Sequence, residues 1–118
     1  MNKILITGAS GFVGTNLIKH FKLKDLGNIQ KLSFRGNLPL ILPEASIVIH
    51  LAGKAHDLRK SADDQEYFDV NYSKTKELFD LFLDSNCRDF IYFSSVKAAA
   101  DTVNHILTEA DKPNPKTP

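Results

Sequence analysis

Short apolar runs alternate along the chain with longer stretches whose apolar residues recur at helical spacing. Lys3 to Thr7, built on Ile4-Leu5-Ile6, reads as a buried strand. Phe12, Val13, Leu17, Ile18 and Phe21 then share one helical face and predict a helix from Phe12 to about Leu23. The polar, glycine-containing Lys24 to Asn28 closes it, and Ile29 to Phe34 forms a second strand ended by Arg35-Gly36-Asn37. Ser46 to Leu51 is a continuous β-branched run, the pattern of a strand buried on both faces of a parallel sheet. A long helix follows from about Ser61 to Ser85, capped by Ser61 or Asp63, with Tyr67, Val70, Leu78, Leu81 and Phe82 on its apolar face. Phe90 to Phe93 reads as another buried strand and runs into Ser94-Ser95.

Two regions break this rhythm. Asn37 to Ala45 holds Pro39 and Pro43, which disfavour a helix interior or a central strand. An extended connection is expected there, with one short strand around Leu40 to Leu42. Ala98 to Ala100 offers the start of a helix, but Asp101 to Pro118 is polar, contains Pro113, Pro115 and Pro118, and reads as a loop.

Strands alternating with helices predict an α/β fold, a Rossmann-type doubly wound parallel sheet with right-handed crossovers. Residues 1–118 make one domain, the N-terminal portion of that fold, with a shortened region after the second strand. Ligands of such sheets bind beyond the carboxyl ends of the strands. Thr7-Gly8, Arg35, Ala52-Gly53 and Ser94-Ser95 all fall at those ends.

The stretch Thr7-Gly-Ala-Ser-Gly-Phe-Val-Gly14 joins the first strand to the first helix. Its glycines suit, in order, a tight turn, close approach of backbone to a ligand, and close helix-to-strand packing. The helix start presents free N–H groups and a positive dipole end to an anion, and a dinucleotide pyrophosphate is the natural occupant.

Composition changes this picture little. The chain has 42% hydrophobic and 25% charged residues and a formal charge of +1, so it offers no electrostatic reason for a nucleic-acid or membrane partner. The single cysteine, Cys87, excludes an internal disulfide and suits a half-buried thiol near a helix end. The start is too short for a signal peptide and no run is long enough to span a membrane, so a cytoplasmic location is expected. His50 and His56 have no Cys or carboxylate set at ligand spacing; no metal is expected, and His50 reads as a packed, hydrogen-bonded histidine.

With these motifs in hand, the chain resembles the extended short-chain dehydrogenase/reductase family, in its nucleotide-sugar epimerase and dehydratase branch. The likeness rests on Thr7 to Gly14, His50-Leu51-Ala52-Gly53, Asn71 to Thr75, and Phe90 to Ser95. It implies that Gly8, Gly11, Phe12, Val13 and Gly14 form the pyrophosphate-binding turn and that Leu51, Ala52 and Gly53 line the nicotinamide side. Ser95 matches the family's catalytic serine. Asn71 matches an asparagine of the long helix, with a cofactor-site or a purely structural role. The implied partners are NAD or NADP and a nucleotide sugar, with a homodimer for the parent enzyme that packs the long helix and its neighbour into a four-helix bundle.

The chain also departs from the family pattern. Arg35 stands where an NAD-specific site usually places Asp or Glu, and its guanidinium suits a 2′-phosphate, which favours NADP. The family's Tyr-x-x-x-Lys acid/base pair follows the serine by roughly twenty to thirty residues, and the chain runs 23 residues past Ser95 without showing it. Tyr72 to Lys76 spells the same pattern but precedes the serine strand, so it reads as a partly packed tyrosine and a solvated lysine. The expectation is therefore the cofactor-binding part of an epimerase, dehydratase or keto-sugar reductase, itself inert. A non-catalytic dinucleotide sensor is the alternative.

Overall fold

A computed structural model describes residues 2–54 and 64–116. Its four strands are β1 (Lys3–Thr7), β2 (Asn28–Leu32), β3 (Ile47–His50) and β4 (Asp89–Tyr92). All pair in parallel in the order β2-β1-β3-β4. Helix α1 (Phe12–Lys24) joins β1 to β2. Between β3 and β4 runs a helical segment made of α2 (Asp64–Phe68), a π-helical turn (Asp69–Ser73) and α3 (Lys74–Leu83). The expected caps Ser61 and Asp63, and His56, lie outside the described residues.

Period-two alternation along the central strands sorts the core into two layers. Ile4, Ile6 and Ile49 pack with Ile18 of α1 on one face. Leu5 and Val48 pack with Leu78 of α3 on the other. Thr7 and His50 share the parity of Leu5 and Val48, so these two polar residues point toward α3 and are fully buried.

The connection from β2 to β3 crosses the α3 face without a helix. Leu38 and Leu42 plug the core from it, whereas Leu40 and Ile41 are 95% and 81% exposed. The short strand expected around Leu40 to Leu42 is absent. A strand would turn Leu40 inward with Leu38 and Leu42, and Pro39 and Pro43 have no N–H to give a ladder.

β4 also differs from expectation. Among the described residues it is one of the sheet's two edge strands, and Ile91 and Tyr92 are about half exposed rather than buried. Phe90 alone is well packed, with ring centroids 5.1 Å from Phe79 and 5.2 Å from Phe82. Beyond it Val96–Ala98 forms one 3-10 turn, not the start of an α-helix. The rest to residue 116 is loop, tied back by an isolated bridge between Ala100 and Asn114. Cys87 is half-buried as expected, and burial pushes its thiol pKa up.

Chain order reverses direction between β1 and β3, because β2 is added on one side of β1 and β3 on the other. That reversal opens a crevice at the carboxyl ends of β1 and β3.

Candidate dinucleotide site

The turn after β1 enters this crevice. Gly8 has φ +68°, and a Cβ placed on it would lie 2.6 Å from the Ala52 amide nitrogen, so only glycine fits there. At Gly14, on the first turn of α1, a Cβ would come within 2.2 Å of the Gly8 carbonyl oxygen; its absence lets the helix press onto the turn. Gly11 is different. Its backbone is extended (φ −75°, ψ 177°), and the nearest atom to a Cβ would be the Gly8 oxygen at 3.5 Å, an ordinary contact. The fold itself has no steric need for glycine at that position.

Gly11 is also the N-cap of α1, and it caps the helix with no side chain. Its amide donates to the Gly8 carbonyl at 3.1 Å, and its carbonyl accepts from Thr15 at 2.9 Å. The amides of Phe12, Val13 and Gly14 have no acceptor within the helix and sit at its positive end. The Phe12 side chain is 86% exposed, so what this residue contributes inward is backbone.

Across the crevice, the Thr7 hydroxyl oxygen accepts the amides of Leu51 (3.2 Å) and Ala52 (3.1 Å). It also lies 2.6 Å from His50 Nδ1. With both lone pairs of Thr7 taken, its proton goes to Nδ1. The hydrogen-bond inventory therefore assigns His50 as the neutral Nε2–H tautomer, donating to Thr75 Oγ1 at 2.8 Å. Burial among Phe34, Phe90 and Tyr92 holds the imidazole pKa down to about 4. His50 is the packed, hydrogen-bonded residue expected, and its two threonine partners went unnoticed in the sequence.

Asn71 lies in the π-helical turn. Its Oδ1 accepts the Lys54 amide at 2.7 Å and its Nδ2 donates to the Lys54 carbonyl at 3.0 Å. A Cβ on Gly53 would stand 3.2 Å from that Oδ1. Asn71 thus holds the Leu51–Lys54 segment in place through backbone. A π-helical turn re-aims side chains within a helix, and here it serves this contact.

Arg35 lies beyond β2, exposed, with its amide donating to Ser33 Oγ at 3.3 Å. Lys74 of α3 donates to the carbonyls of both neighbours, Phe34 and Gly36, with its ammonium 4.9 Å from the Phe34 ring centroid. Lys74 was also not foreseen. Its signal is a lysine one position before Thr75 on the helix, on the side that faces the β2 loop.

Ser95 follows β4, whose pairing continues one step through the Phe93 amide to the His50 carbonyl at 3.1 Å. Its Oγ is exposed and accepts the Lys97 amide at 3.2 Å, capping the 3-10 turn and leaving the hydroxyl proton available. By contrast, Tyr72 is exposed with its ring tilted against Phe68, centroids 4.9 Å apart, and Lys76 pairs with Asp80 at 2.7 Å. No cluster among the described residues has the donors for a metal ion.

The strand termini therefore gather a glycine turn, a tethered Leu51–Gly53 loop, an exposed arginine and an exposed serine. Comparison with known proteins identifies the family. The sequence profile described as NAD dependent epimerase/dehydratase family matches residues 4–118. A UDP-glucose 4-epimerase of Vibrio cholerae is 31% identical over 118 residues, covering 80% of this chain and 35% of that protein. A UDP-2-acetamido-2,6-beta-L-arabino-hexul-4-ose reductase of Pseudomonas aeruginosa is 33% identical over 106 residues, covering 84% of this chain and 27% of that protein. The chain thus spans about a third or less of the length of these curated relatives. Among solved structures, a short-chain dehydrogenase/reductase superfamily protein from Agrobacterium tumefaciens with bound NAD superposes with TM-score 0.79 at 22% identity, covering 98% of this chain and 40% of that one. RMD from Pseudomonas aeruginosa, complexed with NADPH, superposes with TM-score 0.72 at 22% identity, covering 99% and 44%. At these identities the structural likeness is one of fold.

Proposed function

We infer that this chain, which belongs to the NAD dependent epimerase/dehydratase family, is the dinucleotide-binding part of an enzyme that epimerises, dehydrates or reduces a nucleotide sugar. The observation that carries this reading is Gly11. It is the one motif glycine that the fold does not require, and it stands at the helix N-terminus where a Cβ would make only an ordinary contact with the Gly8 oxygen but would crowd a ligand on the helix start.

In this reading the amides of Phe12, Val13 and Gly14 would hold the pyrophosphate, with Gly8 shaping the turn beneath it and Gly11, its own amide bonded to the Gly8 carbonyl, leaving room for the ligand. Leu51, Ala52 and Gly53 line the nicotinamide side, held by Thr7 and Asn71; Asn71 acts through the Lys54 backbone rather than by touching cofactor. Arg35 meets the adenosine ribose, and its charge favours NADP through a 2′-phosphate. The bound nicotinamide supplies hydride acceptance and donation at a sugar carbon. Ser95 would donate a hydrogen bond from its hydroxyl to the reacting sugar oxygen and so help to orient the sugar. No Tyr-x-x-x-Lys pattern follows Ser95 in this sequence, and on this reading the 118 residues by themselves are expected to be inert in sugar turnover.

A homodimer through the long helix is part of the same proposal. Phe68, Tyr72, Phe79 and Leu83 leave an apolar stripe exposed along it, which a second copy would cover. A cytoplasmic location fits the half-buried free thiol. No helix among the described residues is long and apolar enough to cross a membrane. No feature of the described residues favours the alternative of a non-catalytic sensor.

Titration of the chain with NADH and NADPH, read by cofactor fluorescence, tests the reading. Saturable one-site binding, tighter for NADPH, is the expected result. No binding of either at millimolar concentration would overturn it.

A further inference from the structure

The buried triad of Thr7, His50 and Thr75 does more than fill the core. Three elements meet in it: the end of β1, the end of β3 and the first turn of α3. Each could be closed more simply by apolar side chains, as the adjacent Leu5, Val48 and Leu78 are. A buried polar network specifies geometry, because each member has a fixed donor and acceptor sense. Here the sense runs one way. Thr75 accepts from Nε2, Nδ1 accepts from Thr7, and Thr7 is left with two lone pairs aimed at the Leu51 and Ala52 amides.

We propose that His50 is a positioning residue: its neutral Nε2–H tautomer dictates the direction of the Thr7 hydroxyl, which in turn fixes the Leu51 and Ala52 amides at the mouth of the crevice. Fixing that loop presets the crevice wall against the glycine turn, since a Cβ on Gly8 would already contact Ala52 nitrogen. The consequence for cofactor affinity rests on the dinucleotide reading above; the effect on the two amides does not.

The structure places no charged group in hydrogen-bonding contact with the imidazole among the described residues. Its neighbours are the two hydroxyls and the rings of Phe34, Phe90 and Tyr92. The direction of the relay is thus set by hydrogen bonding and not by an ion pair.

Three variants separate positioning from packing. His50→Leu keeps volume but removes both bonds, whereas His50→Asn retains an acceptor where Nδ1 stood. Thr75→Val removes only the far bond. Amide hydrogen exchange at Leu51 and Ala52 and NADH titration are measured on the chain. In His50→Leu, exchange at those two amides is expected to rise about tenfold and NADH affinity to fall about tenfold, as for loss of one buried hydrogen bond. His50→Asn is expected to recover most of both, and Thr75→Val to fall between.

Unchanged exchange in His50→Leu, or His50→Asn no better than Leu, would overturn the proposal. If His50→Leu fails to fold, Thr75→Val decides alone, and wild-type exchange in it overturns the relay. Absence of NADH binding by the wild type would defeat the dinucleotide reading instead, with the relay judged by amide exchange.

Discussion

Lowering the pH from 7 to 4.5 is expected to destabilise this fold chiefly through His50. Unfolded, the imidazole takes up a proton with its ordinary pKa of 6.5; folded, burial holds that value near 4. The unfolded state therefore binds more protons between these values, so stability is fully present above about pH 6.5 and is lost as the pH falls toward 4. Integrating over the two values gives a loss of about 2 kcal/mol between pH 7 and 4.5, with a ceiling of about 3 kcal/mol below pH 4. That is a substantial part of the roughly 5–15 kcal/mol that holds a domain together. Protonation would also place a proton on Nδ1, where the Thr7 hydroxyl now donates, so the charged form loses a hydrogen bond as well. Urea titrations of wild type and His50→Asn at pH 7, 5.5 and 4.5 isolate the effect. Glu44 and Asp111, whose carboxyls are held low by Lys3 and by Thr108, lose their contributions only below about pH 4.5 and are common to both proteins. Equal pH-dependence in wild type and variant would refute the reasoning.

Other outcomes follow from the site. Gly14→Ala drives a methyl into the Gly8 carbonyl and is expected to cost about 2–3 kcal/mol in thermal or urea unfolding; a melting temperature equal to wild type would contradict the packing described. Arg35→Glu is expected to move the NADPH-to-NADH affinity ratio down by about tenfold or more, and an unmoved ratio removes Arg35 from the ribose site. In any longer protein that carries this chain and turns over a nucleotide sugar as proposed, Ser95→Ala is expected to lower turnover by ~10²-fold with little change in cofactor affinity. Unchanged turnover takes Ser95 out of the mechanism.

The sheet was legible because its signals are strong and local. Short apolar runs marked β1 and β3, and the glycine turn marked where β1 becomes α1. Where the sequence misled, tertiary context prevailed. Phe90-Ile-Tyr-Phe93 looks as apolar as β3, and nothing local says that it is an edge strand among the described residues. The Leu38 to Leu42 segment reads as extended, but only the finished sheet shows that its two inward leucines replace a helix.

The site was legible at its glycines and strand ends, and less so in its supports. Thr75 and Lys74 lie 25 and 38–40 residues from the groups they hold, with no spacing rule linking them. A usable clue was present. His50 sits in a buried run with two ring nitrogens to satisfy, so hydrogen-bonding partners for both had to exist somewhere. Asn71 shows the opposite case, a residue picked from resemblance whose visible bonds are to backbone.

Gly11→Ala tests the central claim most directly, because the fold leaves room for that methyl and a pyrophosphate on the helix start would not. Cofactor titration and thermal unfolding would be measured on wild type and variant side by side. The expected result is a folded protein whose melting temperature falls by no more than a few degrees, since the new contact is ordinary and alanine at the N-cap costs about 1 kcal/mol or less, together with a loss of NAD(P)H affinity of about tenfold or more. Wild-type affinity in a folded Gly11→Ala protein would contradict the assignment of this turn as the dinucleotide site.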